Sequence, residues 1–181
     1  QLLNSMYDLA MILRARRFQR GSLELSLPET KIDLDGDGNV CGAHRVQYTE
    51  SHQIIEEFML TANEAVAQML EDAELLFLRR IHEPPDPRKL KALNDFVREL
   101  GIKTDGLESR FELQRVLQHV RGLPQEQAVH YATLRSMSKA VYSPNQEGHF
   151  ALASDCYCHF TSPIRRYPDL TVHRLTESLT R

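Results

Sequence analysis

A chain of 181 residues with 41% hydrophobic content is too long and too apolar to stay disordered, and it can bury one sizeable core. Its formal net charge of -3 offers no bulk attraction to a polyanion, so any contact with nucleic acid must come from local clusters of cations. Three cysteines without framework spacing argue against a secreted disulfide scaffold and for a cytoplasmic protein, and no apolar run approaches the roughly 18 residues of a membrane helix.

The chain opens, without Met or a signal-peptide pattern, on Leu2, Leu3, Met6, Leu9, Ala10, Ile12 and Leu13 at helical spacing. That helix ends in the basic run Arg14–Arg20 and stops at Gly21. Ser22–Leu27 alternates polar and apolar as a half-buried strand does, and Lys31–Leu34 with Val40–Tyr48 predicts a β-hairpin around the Asp/Gly cluster at 35–38. A long amphipathic helix is expected from Ser51, as N-cap, to about Leu78, with Leu75–Ile81 either its end or a short buried strand. His82-Glu-Pro-Pro-Asp-Pro87 breaks regular structure. Helices follow at about 87–100, 109–120 and 124–140, then a strand over Phe150–Phe160, and a final helix capped by Ser162 and opened by Pro163. That last pattern is still running at Arg181, so the chain is expected to be part of something longer. There is no internal repeat.

Four constellations resemble chemistry. Asp33-Leu-Asp-Gly-Asp-Gly-Asn-Val-Cys-Gly-Ala-His44 follows a calcium loop as far as position eight, but position twelve is His44, where such a loop needs a bidentate Glu. A turn at a hairpin tip is the alternative, since Gly supplies positive φ and Asp local hydrogen bonds. His82-Glu83 begins a zinc-protease pattern that Pro84, Pro85 and Pro87 forbid from becoming a helix. Cys156 and Cys158 offer soft ligands without a second pair to complete a tetrahedron, so they read as buried small hydrophobes. Arg165 and Arg166 would sit in the first turn of the last helix, where two cations call for an anion such as phosphate. Pairing with Asp169 along one helix face is the competing reading.

Gly148-His-Phe-Ala-Leu and Tyr157-Cys-His-Phe-Thr-Ser-Pro-Ile-Arg-Arg-Tyr-Pro-Asp-Leu-Thr-Val-His-Arg-Leu175 resemble the ribonuclease II and ribonuclease R exoribonucleases, with their RNB catalytic domain, and most of all the ribonuclease R branch. Ser51–Ala67 and Leu134–Tyr142 add further blocks in the family's order. The resemblance implies an α+β fold, here a mostly helical part of an RNB-type domain with a β-hairpin and one or two further strands. It implies hydrolysis of single-stranded RNA from the 3′ end to nucleoside 5′-monophosphates with magnesium.

The family holds its metal with closely spaced aspartates early in the domain, a spacing that Asp8, Asp33, Asp35 and Asp37 do not reproduce. The chain thus corresponds to the C-terminal half to two-thirds of the domain. Its metal site is expected outside residues 1–181, and the piece alone is expected to be inactive. Arg165 matches the family's catalytic arginine at the scissile phosphate, and Glu57 a residue near the sugar that favours RNA over DNA through the 2′-OH. Asn63, Arg135, Tyr142, His149, His159, Thr161, Ser162, Arg166 and Asp169 match motif positions expected around the RNA channel. Two rivals stay open. One is a non-catalytic RNA-binding or protein-interaction module on a degenerate domain, the other a calcium module built on the Asp33 loop.

Overall fold

Every residue from 1 to 181 is described in a computed structural model. Helix α1 spans Leu2–Gln19, strands β1 and β2 Thr30–Leu34 and Val40–Arg45, and helix α2 Glu50–Asp72. Strand β3 (Arg79–Ile81) precedes helices α3 (Pro87–Glu99), α4 (Arg110–His119) and α5 (Glu126–Ser136). Strand β4 (Val141–Ser143), a 3-10 turn at Phe150–Leu152 and helix α6 (Tyr167–Thr180) complete the chain. The class is α+β, as the resemblance implies, with two separate antiparallel pairs, β1–β2 and β3–β4. No helix is long and apolar enough to cross a membrane.

Caps set the helix starts. Asp86 accepts from the Arg88 N–H at 2.7 Å with Pro87 at the first helical position, and Ser109 accepts from the Phe111 N–H. Helix α2 starts slightly before the expected cap. Its N-cap is Thr49, which exchanges a reciprocal pair of bonds with His52, so Ser51 is already helical. Two apolar clusters result. One joins α3, α4 and α5 through Leu93, Val97, Leu113, Val116 and Val129, and the other packs Ala67 and Leu70 of α2 against Phe77, Cys156, Cys158 and Val172.

Three expected elements differ. Ser22–Leu27 forms no strand, because no ladder partner reaches it; Leu23 donates its N–H to the Ala151 carbonyl at 2.8 Å and is otherwise held by packing. Phe150–Phe160 is not a strand either. It turns back at Ala153, a left-handed residue at φ 51°, so that the His149 N–H meets the Ser154 carbonyl at 2.7 Å, and it then runs along β3, with Arg80 N–H on the Tyr157 carbonyl. The last helix begins at Tyr167, not Pro163. Pro168 has no N–H to give back to residue 164, so an earlier start has no bond to sustain it, and Arg166 takes the extended N-cap position. The helices expected to reach 78 and 140 stop at Asp72 and Ser136, the first at Glu74 with φ 54°.

Candidate nucleic-acid interface

The turn before α6 is built from the inside out. Asp169 is fully buried, and its Oδ1 accepts from the Ser162 N–H at 2.8 Å and from Arg166 Nη2 at 2.7 Å. Removing one partner of such a buried pair strands the other charge, so Arg166 is committed to the scaffold. Arg165 is exposed. Its one polar contact runs from Nε to Ser162 Oγ at 2.9 Å, which leaves both Nη groups free beside a bare Ile164. Neither arginine lies in the helix's first turn, and of the two only Arg166 pairs with Asp169. Thr161 Oγ1, Arg166 Nε and Asp169 Oδ2 are buried here without partners.

Asn63, 2% exposed on α2, anchors the segment leading into this turn. Its Oδ1 accepts from the N–H groups of Phe160 (2.9 Å) and Thr161 (3.2 Å), and its Nδ2 donates to the Tyr157 hydroxyl at 2.9 Å. A run of rings continues outward from Tyr157, with His149 at 5.5 Å, His159 at 5.9 Å and, beyond His159, Tyr142 at 5.6 Å. The Tyr142 hydroxyl lies 2.7 Å from His159 Nδ1. Arg80, its cross-strand neighbour, covers the Tyr142 ring at 4.7 Å. Burial drives the His149 imidazole down to about 3, helped by His82 and Arg80, and the His159 imidazole down to about 4, helped by Arg166. Both rings are therefore neutral at pH 7 and offer faces and one N–H each rather than charge. Asn63, Tyr157, His159 and Arg166 line a cavity of about 560 Å3 together with Tyr48, His52 and Met59.

Of the expected residues, Asn63, Tyr142, His149, His159, Thr161, Ser162, Arg166 and Asp169 thus share one connected network with Arg165 at its edge. Two do not. Glu57, 2% exposed, gives both carboxylate oxygens to Arg17, at 2.5 and 3.1 Å, so a ribose hydroxyl there would have to share the carboxylate with that pair. Arg135 is exposed at the end of α5 and makes no side-chain hydrogen bond to the network. Tyr157 and Arg80 belong to the site without having been singled out, and His82, read only as the start of a forbidden zinc-protease pattern, lies against His149 with ring centroids 4.8 Å apart. Tyr157 stands inside the resembling motif, whereas Arg80 arrives through the β3–β4 pairing and His82 through a bridge to His149, which no local pattern announces.

No three His, Cys, Asp or Glu side chains gather where they could hold a metal ion, so the residues present do not fit a multi-aspartate magnesium site. Cys156 and Cys158 are buried thiols that burial pushes up to about 12, with Cys156 Sγ 2.7 Å from Arg79 Nη1. At the hairpin tip Asp35 accepts from the N–H groups of Asp37 and Asn39, while Asp33 pairs with His44 at 2.8 Å. Loop positions one and twelve of the calcium pattern thus satisfy each other, and the carboxylates serve the turn.

The model of the RNB domain family matches residues 1–181. The chain belongs to that family. Ribonuclease R of Aquifex aeolicus is 41% identical to it over 99% of the chain, which covers 26% of that relative. The chain therefore spans about a quarter of the length of the curated relatives it matches. Mycoplasma genitalium RNase R, solved in complex with ribose methylated single-stranded RNA, superposes with a TM-score of 0.90 at 34% identity, over 96% of this chain and 28% of that one. Yeast Ssd1, a pseudonuclease, shares the RNB fold at a TM-score of 0.75 and 23% identity, covering 98% of this chain and 23% of that chain. Possession of the fold does not by itself carry catalysis.

Proposed function

We propose that residues 1–181 are the phosphate-positioning portion of an RNB catalytic domain, in a parent protein that degrades single-stranded RNA from its 3′ end to nucleoside 5′-monophosphates in the cytoplasm. One observation carries this reading. Arg165 keeps both Nη groups free while Ser162 Oγ fixes its Nε, and the adjacent Arg166 is tied through Nη2 to buried Asp169. One arginine is scaffold, the other a fork aimed at a ligand, and phosphate oxygens match such a fork two at a time. At a scissile phosphate Arg165 would offset charge that grows in the transition state. The ring faces of Tyr142, His149, Tyr157 and His159 suit bases, because stacking tolerates any sequence. Magnesium, which in this chemistry activates water, would be held by residues of the parent outside this chain, and the isolated piece would be inactive.

In the full-length parent, Arg165→Lys is expected to lower kcat by about a hundredfold or more while RNA affinity changes less than about fivefold, since a point charge cannot replace the fork. Equal losses in both would reduce Arg165 to simple phosphate binding. The second reading, a non-catalytic RNA-binding or protein-interaction module, is favoured by the lack of any metal-ligand cluster within these residues. It prevails if the parent also lacks the aspartate motif upstream.

A further inference from the structure

A second cavity, also bordered by Tyr48, lies between α1, the irregular segment 23–27 and helices α4 and α5 and measures about 770 Å3. That is within the range of small-molecule sites. Two buried donors in it have no partner. His130 is 3% exposed, and its Nδ1 accepts from the Ser26 N–H at 2.7 Å, so the ring proton sits on Nε2, which bonds to nothing. Arg14 pairs one edge of its guanidinium with Glu24 at 2.5 Å and leaves Nη1 buried and unpaired. Glu24 and Ser26 are two residues apart, so both vacant donors flank the same short stretch of chain. Orphans of this kind carry a desolvation penalty that a ligand acceptor relieves.

The charges around the cavity decide what kind of acceptor fits. Arg14, Arg17 and Arg121 face Glu24, Glu56 and Glu126, and Arg17 is already claimed by Glu57. Glu56 is itself pushed up by burial. There is no surplus positive potential for a free oxyanion, whereas Leu23, Leu117 and Leu152 supply apolar walls. A flat, neutral group with acceptor atoms on its edge satisfies both conditions. The two cavities also adjoin, since Tyr48 and Glu56 line both. Tyr48 is 55% exposed and stacks on His52 with rings 5.6 Å apart, which leaves its other face open.

We propose that this second cavity seats one nucleobase of the same RNA strand that the Arg165 turn engages, its acceptor edge on His130 Nε2 and Arg14 Nη1, with Tyr48 stacked at the divide. The inference rests on the RNA reading above and adds to it a base-binding position remote from the phosphate.

The test uses the full-length parent with a length series of oligouridylates. Ser26→Cys places a thiol at the exposed rim, and its alkylation is read by peptide mass spectrometry. Labelling is expected in the free protein and protection only above a threshold length, with a dinucleotide giving none. His130→Leu is expected to weaken binding of oligonucleotides above the threshold by about tenfold and His130→Gln to restore most of it. One abasic site at the threshold position should cost the same and add nothing in His130→Leu. RNA binding without protection at residue 26, or equal losses of intact and abasic strands in His130→Leu, overturns the proposal alone. A residue 26 that is unreactive in the free parent shows that protein fills the cavity and also overturns it. A parent that binds no RNA at all overturns the function reading together with this one.

Discussion

The Asp33–His44 hairpin and the Ser162–Asp169 turn are both dense in polar residues, yet they are built in opposite ways. At the hairpin the carboxylates and His44 bond to one another and to their own turn, while Ile32, Leu34 and Val40 stay exposed around them. At the turn a buried carboxylate and a buried carboxamide, drawn from two helices, hold the backbone so that Arg165 is left over. A ligand site shows itself by polar groups that the fold supports and leaves unused, and not by the density of charged residues along the chain.

The comparison breaks most readily at Asp169. Asp169→Asn strands the Arg166 guanidinium and is expected to cost about 3–5 kcal/mol, read as a lower urea midpoint at unchanged slope. Retained stability would mean that the turn does not depend on its buried pair. Next comes Asn63→Leu, which leaves two backbone N–H groups and the Tyr157 hydroxyl without partners. About 2–4 kcal/mol of stability should be lost, and the Phe160 and Thr161 amides should exchange faster with deuterium than those of α4.

A smaller effect follows from the histidines. For His149 and His159 the folded-state values, about 3 and about 4, lie below the ordinary 6.5, so the unfolded chain binds the extra protons. Their contribution is complete above pH 6.5 and is lost as pH falls from there towards about 4 for His159 and about 3 for His149, the direction linkage requires when the unfolded state binds more protons. Urea midpoints measured from pH 7.5 to 4.5 should decline, and His149→Asn should flatten the decline. At the small end, Asp35→Ala should leave the urea midpoint of the chain unmoved, and a calorimetric titration should give no saturable calcium heat below about 1 mM, the weak end of known sites. Saturable heat would restore the hairpin as a site.

What was legible in the sequence was what short windows encode. The hairpin, α3 and α4 follow from turn residues, breakers and periodicity, and the motif around Arg165 marked the turn before α6 as the candidate site. Tertiary partnership was not legible. The bonds of Asn63 to Phe160 and of Arg17 to Glu57 span 97 and 40 residues, and nothing in either neighbourhood specifies the other. Two local misreadings had local causes. Alternation over 150–160 conceals the reversal at Ala153, and Ser-Pro at 162–163 imitates a helix start that Pro168 postpones. His130 gave no sign at all, because a histidine on a helix becomes informative only once one ring nitrogen is seen to be taken and the other empty.

The hydroxyl of Ser162 against Arg165 Nε has one more effect. A free arginine surrenders about 2 kcal/mol of rotamer entropy when a ligand pins it. Here the inner torsions are already held, so what a phosphate must still freeze is little more than the outer end of the side chain. On the proposed function, the cation would meet each incoming phosphate half-ordered. In an enzyme that handles one nucleotide after another, that saving would recur at every step along the strand.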